Sequence, residues 1–390
     1  MTVISSQEPI RIRDSEIFAA HSGGKLSMGC TLPIDDPEAL SVAYTPGVAK
    51  VSQAIAADPS LAARYTWAHR LVAIVTNGSA VLGLGNVGPA AALPVMEGKA
   101  ALFKRFAGLN AIPLVLDSSD IEEIIEVLVR LRPSFGAVCL EDIAAPLCFE
   151  LEARAKAALD CPVLHDDQHG TAVAVLAGLR GASTLLGRRL DASRIVVLGA
   201  GAAGSATAEL LLAAGAEDVT VLDSQGILFD GRDELSPVKA ALAARTNPRD
   251  LRGGPAEALR DADAVIGLCS ATVPESLIAT MAPEAIVFAL SNPVPEIDPG
   301  LASRYAAVVG TGGSNFPNQI INTLASPGIF RGALDANARF ITTEMKLAAA
   351  DAIASVAEDT LAIDRIVPHS LDPRVPPAVA DAVIRAAQQV

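Results

Sequence analysis

Residues 194–223, RIVVLGAGAAGSATAELLLAAGAEDVTVLD, carry an apolar strand, a glycine turn, a helix and a second strand in one unbroken run. The turn spells Gly199-x-Gly201-x-x-Gly204, with Ala202 and Ala203 between the last two glycines. Glycines there let the backbone approach a pyrophosphate, and the free N–H groups and dipole of the following helix, read over 205–214, stabilise it. The second strand ends in Asp223, at the distance expected of a carboxylate that binds a ribose 2′-hydroxyl. Gly199, Gly201, Ala202, Ala203, Gly204 and Asp223 are therefore the candidate dinucleotide site; a plain strand-to-helix turn is the alternative. A carboxylate at 223 repels a 2′-phosphate and favours NAD over NADP, unless a Lys or Arg lies nearby in space.

The same alternation extends outward. Downstream come the strands ADAVIGL (262–268), AIVFALSNP (285–293) and AAVVGTG (306–312), then helices over 339–357 and 377–388. Upstream, LVAIVTN (71–77), AIPLVLD (111–117), GAVCLED (136–142) and PVLHDD (162–167) alternate with helices over 96–106, 121–131, 146–158 and 170–186. Strands alternating with helices predict parallel sheets. The expected fold is α/β: an N-terminal α/β substrate and metal domain over residues 1–160, and a Rossmann-like dinucleotide domain over 161–390 whose C-terminal helices pack back.

Composition agrees with two cores. The chain has 390 residues, 51% hydrophobic and 4% aromatic, which suits helices packed on sheets. A formal charge of −14 argues against nucleic acid, because phosphate neutralisation needs a basic face. The odd set of Cys30, Cys139, Cys148, Cys161 and Cys269 has no C-x-x-C pair, so buried reduced thiols and a reducing compartment are expected. The start, MTVISSQEPIRIRDSE, has no apolar core or basic leader. Residues 71–96 carry no charge, but their glycines and prolines would break a spanning helix. A cytoplasmic protein with no membrane contact is expected.

A second glycine pattern, Gly83-x-Gly85-x-x-Gly88, runs into Pro89 and lacks an acid-tipped second strand. It reads as a loop packing close to the site. Glu141 and Asp142 close one strand, and Asp166 and Asp167 close another, at the ends where ligands bind in open α/β sheets. Four converging acids call for a cation or for raised pKa values, and oxygen ligands suit Mg²⁺ or Mn²⁺. Separate helix N-caps would use the same residues. His165 and His169 flank the second pair as supporting or packing groups.

These stretches together carry a resemblance. SVAYTPGVAKV, NGSAVLGLGNVGPAAALPVMEGKAALFK, LEDIAAP, VLHDDQHGTA, GAGAAGSA, ALSNPVPEI and PGIFRGALD follow one another between residues 41 and 335. Their order resembles that of the short bacterial malic enzymes. The resemblance implies oxidative decarboxylation of malate to pyruvate with reduction of NAD, or NADP, and a Mg²⁺ or Mn²⁺ ion held by Glu141, Asp142 and Asp167. It implies that Lys99 is the base, Tyr44 the acid, and Asp166 a carboxylate that orients the lysine or relays protons. Asn292 and Asn322 match positions near nicotinamide and substrate, and Lys99 also faces the substrate. A homo-oligomer, dimer or tetramer, is the family expectation.

The sequence also departs from the family pattern. Relatives read GRSD-aromatic-PNQVNN-x-L-x-FPG, whereas residues 312–328 are GGSNFPNQIINTLASPG. Gly313 replaces an arginine, Asn315 an aspartate, Ile321 an asparagine and Ser326 an aromatic. The alternatives this raises are another 2-hydroxy acid, a malolactic-type reaction, or a non-catalytic nucleotide-binding relative.

Overall fold

The computed structural model describes residues 12–389, so the leader expectation for the first eleven residues lies outside them. Ten strands form two sheets: β1 (Leu71–Thr76), β2 (Asn110–Val115), β3 (Ala137–Leu140), β4 (Val163–His165), β5 (Arg194–Leu198), β6 (Asp218–Asp223), β7 (Gly226–Ile227), β8 (Ala264–Gly267), β9 (Ala285–Ala289) and β10 (Ala306–Thr311). The first sheet has the order β2-β1-β3-β4 and the second β10-β9-β8-β5-β6-β7. All pairings are parallel except the two-residue β7. Helices cover both faces, so all six residues of β1 and all five of β9 are buried. Their Val, Ile and Ala runs suit strands with no solvent face.

The strand order reverses between β1 and β3 in the first sheet and between β5 and β8 in the second. Loops leaving the carboxyl ends of such strands diverge and open a crevice. Glu141, Asp142, Asp166, Asp167, Gly199 and Asp223 lie at these ends.

Two helices start earlier than expected. The helix expected from 96 runs Pro89–Ala107: Gly88 takes a left-handed φ of 77° and Pro89 sits at the first turn, where its missing N–H costs nothing. The helix expected from 170 runs Asp166–Leu185. Asp166 and Asp167 therefore open a helix instead of closing a strand, as suits acids beside the helix dipole's positive end. The first sheet's fourth strand also lies past residue 160.

The C-terminal helices Ser326–Asp335, Thr343–Ala357 and Val375–Ala387 fold back. Phe330 meets Phe103 of the 89–107 helix with ring centroids 5.4 Å apart, Arg331 Nη1 donates to Ala107 O at 3.1 Å, and Arg70 pairs with Asp335 at 2.8 Å. A Cβ on Gly181 would lie 2.0 Å from Ile366 O, so glycine there permits close contact between the 166–185 helix and the C-terminal segment. Of the five cysteines, Cys139, Cys148 and Cys161 are buried as expected. Cys30 is exposed and Cys269 half-buried, because an apolar run on a surface segment gives no cover.

From Ile12 to Arg70 no residue is buried. Ile17, Phe18, Met28, Val42, Tyr44 and Trp67 all face solvent. Among the described residues no helix is long and apolar enough to cross a membrane.

Phe330 is fully buried. Phe330→Ala is expected to cost about 3–5 kcal/mol, the usual range for deleting a buried aromatic. Urea unfolding measures it; a loss under about 1 kcal/mol would mean the helix is not part of the core.

Candidate active site

Lys99 reaches the carboxyl end of the first sheet from the middle of the 89–107 helix. Its Nζ donates to Glu141 Oε1 at 2.9 Å and to Asp166 Oδ2. All three side chains are nearly or fully buried. Burial disfavours the ammonium, but Asp166 and Glu141 outweigh it and raise the Lys99 pKa well above its ordinary value. Two carboxylates hold its proton in place.

The second acid of each pair joins the same cluster. Asp167 Oδ2 accepts from the Asp142 backbone N–H at 2.7 Å and lies 3.2 Å from His165 Nε2. Asp142 has a left-handed φ of 53°, and its Oδ1 is 3.5 Å from the Leu82 N–H of the first glycine loop. Asp142 Oδ2 is buried with no hydrogen-bond partner. Burial first, and then the Asp167 charge, push Asp142 up to about 7. His165 is fully buried; burial opposes its charge while Asp167 favours it, and its Nδ1 lies 2.9 Å from the Gln168 amide nitrogen.

Four carboxylates crowd around one lysine, and burial with mutual repulsion raises Glu141 and Asp142 above their ordinary range, a penalty that a divalent ion would relieve. The orphaned Asp142 oxygen and the crowded carboxylates fit such an ion. The side-chain ligand atoms that converge most tightly are those of Cys139, Glu141 and Asp166, not the expected Glu141, Asp142 and Asp167. Burial, then Glu141 and Asp166, raise the Cys139 pKa well above its ordinary value, so its sulfur stays a neutral thiol and the usable donors are oxygens. Nothing in the sequence marks Cys139 beyond its place in an apolar strand.

Beside Lys99 and Glu141 a cavity of about 370 Å³ is lined by Asn322 and Thr323, and on its outer side by His21 and Lys25. Ile321 is not among its lining residues: its extended backbone ends just before the 3₁₀ turn Asn322–Leu324. His21 and Lys25 lie outside every motif and could not be found from sequence. Tyr44 is not brought to the cluster; it is 68% exposed, and no hydrogen bond among the described residues joins it to Lys99.

Asn292 sits past β9 and touches the first glycine loop. A Cβ on Gly83 would lie 2.3 Å from Asn292 O, so this glycine permits a backbone contact between the two halves. The loop packs close to the cluster, as read.

At the second sheet, a cleft of about 540 Å³ is lined by Gly199, Ala200, Gly201, Asp223 and Lys239. Gly199 has φ 115°, and a Cβ on Gly204 would fall 1.8 Å from Gly199 O. A Cβ on Gly201 would meet no protein atom, leaving open space above the helix that begins at Ala202. Asp223 ends β6 as expected, but it is not a free carboxylate. Arg232 Nη2 donates to it at 2.5 Å, Lys239 Nζ at 2.7 Å and the Gln225 N–H at 2.9 Å. Burial opposes its ionisation, yet these donors hold it at about 2. The two cations come from 9 and 16 residues further on, in a loop and a short helix.

Behind the cluster, Glu152 accepts from the His165 N–H at 2.8 Å and pairs with His169 Nε2 at 2.9 Å. Burial lowers His169 to about 4, so the ring is neutral and donates to the carboxylate. An unfolded histidine titrates near 6.5, so protons favour the unfolded chain between pH 6.5 and 4. Tm is therefore expected to fall across that window on acidification, and to fall less in His169→Gln. Equal slopes in calorimetry would remove His169 from that role.

Comparisons with known proteins identify the family. The malic enzyme N-terminal domain family model matches residues 24–156 and the malic enzyme NAD-binding domain model residues 168–388. The chain is 48% identical over 372 residues to an NAD-dependent malic enzyme of Geobacillus stearothermophilus, covering 95% of this chain and 78% of that one. It is 48% identical over 370 residues to a bifunctional malic/malolactic enzyme of Bacillus subtilis, covering 94% and 90%. The crystal structure of an NAD-dependent malic enzyme from Thermotoga maritima superposes with a TM-score of 0.90 at 42% identity, over 96% of this chain and 99% of that one. With a buried lysine among paired acids, a glycine-turn cleft on the second sheet and both family domains matched in order, this chain belongs to the malic enzyme family.

Proposed function

We propose that Lys99, Asp166 and Tyr44 carry the acid–base chemistry of this chain, and that the buried Lys99 between two acids, with Asn322 beside it, is the observation that supports this most. The reaction is oxidative decarboxylation of (S)-malate to pyruvate and CO₂ with reduction of NAD(P). Lys99 takes the proton of the C2 hydroxyl as hydride leaves for nicotinamide. While both carboxylates hold it, Lys99 is an ammonium. Glu141 would also serve the metal ion, and with its charge shared there Lys99 would keep Asp166 as its main partner and be freer to give up its proton. Asn322 and Asn292 orient the substrate and nicotinamide through their amides. Tyr44 returns a proton to C3 after CO₂ has left, a role assigned on the family resemblance.

Glu141, Asp142 and Asp167 would hold the Mg²⁺ or Mn²⁺ ion, which when bound supplies Lewis-acid polarisation of the substrate oxygens. Chelation with EDTA is expected to abolish NADH formation from malate and Mn²⁺ to restore it. Full turnover at verified zero metal content would exclude the ion. Lys99→Ala is expected to lower kcat roughly 10²–10⁴-fold, the range for a positioned base. A fall under about fivefold would assign the proton elsewhere.

The corner at Asp223 supports a wider cofactor choice than its carboxylate alone suggests. With Arg232 and Lys239 on either side it carries a net positive charge, which tolerates a 2′-phosphate. Both NAD and NADP are taken as cofactors. Lys239→Ala is expected to weaken NADP roughly tenfold, the worth of one charge-assisted hydrogen bond, and NAD by under threefold. Titration by protein fluorescence reads both, and equal losses would mean that Lys239 does not face the ribose.

A malolactic side reaction is the second reading, favoured by the bifunctional relative and by Gly313 in place of an arginine; lactate among the products would establish it. We divide the chain into a substrate and metal domain through about residue 160 and a dinucleotide domain beyond it. We assign a homo-oligomer, dimer or tetramer, which the family resemblance suggests and which the exposed Ile17, Phe18, Met28, Val42 and Trp67 support. Tyr44 is exposed in the same segment, where such a contact would cover it. The family and the reduced cysteines support a cytoplasmic location, with no nucleic-acid or membrane partner.

A further inference from the structure

The loops after β8 and β9 meet over one buried carboxyl group. Glu296 is 2% exposed, although it follows a turn whose Asn292, Pro293 and Val294 all face solvent. Its Oε1 accepts from the Cys269 N–H at 2.9 Å, and its Oε2 accepts from the Ser291 N–H at 3.2 Å. The Ser291 hydroxyl lies 2.7 Å from both Glu296 Oε1 and Cys269 O, so its single proton ties it to one of them at a time. The Glu296 backbone oxygen accepts from the Val273 N–H at 2.8 Å. One residue therefore spans the loop 269–273 from end to end and joins it to Ser291. Room for the carboxyl group comes from Gly267 at the end of β8, where a Cβ would lie 2.6 Å from Glu296 Cδ. A carboxyl group this buried needs donors for its oxygens, and these contacts supply them.

Both joined loops lead to the cofactor. Residues 269–274 line the dinucleotide cleft together with Gly199 and Asp223. Ser291 precedes Asn292, which matches a position near nicotinamide and substrate in the family. Asn292 is also confined from two other sides: a Cβ on Gly83 would lie 2.3 Å from its backbone oxygen, and a Cβ on Gly312 2.8 Å from its Nδ2. We propose that Glu296 is a positioning residue for hydride transfer: it fixes the cleft wall at Cys269 relative to Ser291, and so sets where Asn292 meets the nicotinamide that the cleft brings in. Among the described residues no hydrogen bond joins Glu296 to Lys99 or to the acids around it. Its influence therefore falls on the hydride step and not on the loss of CO₂. A misplacement of about 1 Å between reacting groups costs on the order of 10²-fold in rate, so a brace remote from the Lys99 cluster is enough to matter.

The inference rests on the assignment of Asn292 to the nicotinamide, and the experiment separates the two. Glu296→Gln, Ser291→Ala and Asn292→Ala are assayed for malate oxidation with NAD and Mn²⁺ and for the kinetic isotope effect of malate deuterated at C2. They are also assayed for decarboxylation of added oxaloacetate, the keto acid that hydride loss makes from malate, which needs the Lys99 site and no hydride. Tm reports folding. Glutamine fills the same volume but turns one acceptor oxygen into an amide donor, so one tie is lost. Glu296→Gln and Ser291→Ala are each expected to lower kcat for malate roughly three- to tenfold, the worth of one hydrogen bond. The isotope effect on kcat rises in both, while oxaloacetate decarboxylation and KM for malate stay within about twofold. If Glu296→Gln does not fold, Ser291→Ala decides alone, because it removes only the hydroxyl. Parallel losses of malate oxidation and oxaloacetate decarboxylation would make the brace merely structural and overturn the proposal. Wild-type kcat with an unchanged isotope effect in Ser291→Ala would overturn it as well. Wild-type malate turnover in Asn292→Ala would instead overturn the assignment of Asn292, and this inference with it.

Discussion

Lys99 places a positive charge between Glu141 and Asp166 where almost no water reaches. Removing one partner from such a group leaves an uncompensated buried charge and costs on the order of 3–5 kcal/mol. The surrounding backbone is arranged to keep the pairing. β3 delivers Glu141, the short β4 hands the chain to a helix that opens on Asp166, and the 89–107 helix brings Lys99 across. The bend at Asp142 lets its N–H bind Asp167, which ties the two strand ends together. The same ties leave an excess of negative charge and an orphaned oxygen, so the features that assemble the cluster also suit it to a cation.

Packing behind the cluster has a comparable economy. Glu152 uses one carboxylate oxygen on the backbone of His165 and the other on His169, and Lys346 from the C-terminal part lies 3.3 Å from the far nitrogen of His169. A buried carboxylate with this many donors stays ionised, and it anchors the turn from which Asp166 and Asp167 project. The C-terminal helices also dock on the 89–107 helix through Phe330. The lysine, the acids and the glycine-turn cleft therefore sit on elements held by one continuous core.

The cofactor corner shows how far a local motif carries. The strand, the three glycines, the helix and Asp223 are consecutive in the chain, and each does what its place in the motif demands: Gly199 and Gly204 make room for neighbouring backbone, and Gly201 leaves space open. The charge that a nucleotide meets is different, because Arg232 and Lys239 fold back onto Asp223. Reading the carboxylate alone gives a repulsive corner; reading the triad gives a cationic one.

What the sequence by itself determined was everything that depends on neighbours along the chain. Apolar runs separated by helical periods specify two parallel sheets, and the glycine turn with its acid specifies the dinucleotide cleft. Acids after two strands mark the ends where the site forms, and the run of signatures from Tyr44 to Asp335 carries the family. Tertiary structure alone decided what depends on residues meeting from far apart. Lys99 becomes a held ammonium because residues 42 and 67 positions away converge on it. Asp223 is outweighed by Arg232 and Lys239 from further along the chain, and Cys139 joins the acids. The acids at 166 and 167 start a helix because three residues of strand suffice to pair β4. Local pattern fixes which side chains exist at which ends. The protonation and orientation of each depend on distances that only the packed chain sets, since electrostatic energy in a buried site follows separation and water exclusion, not position in sequence.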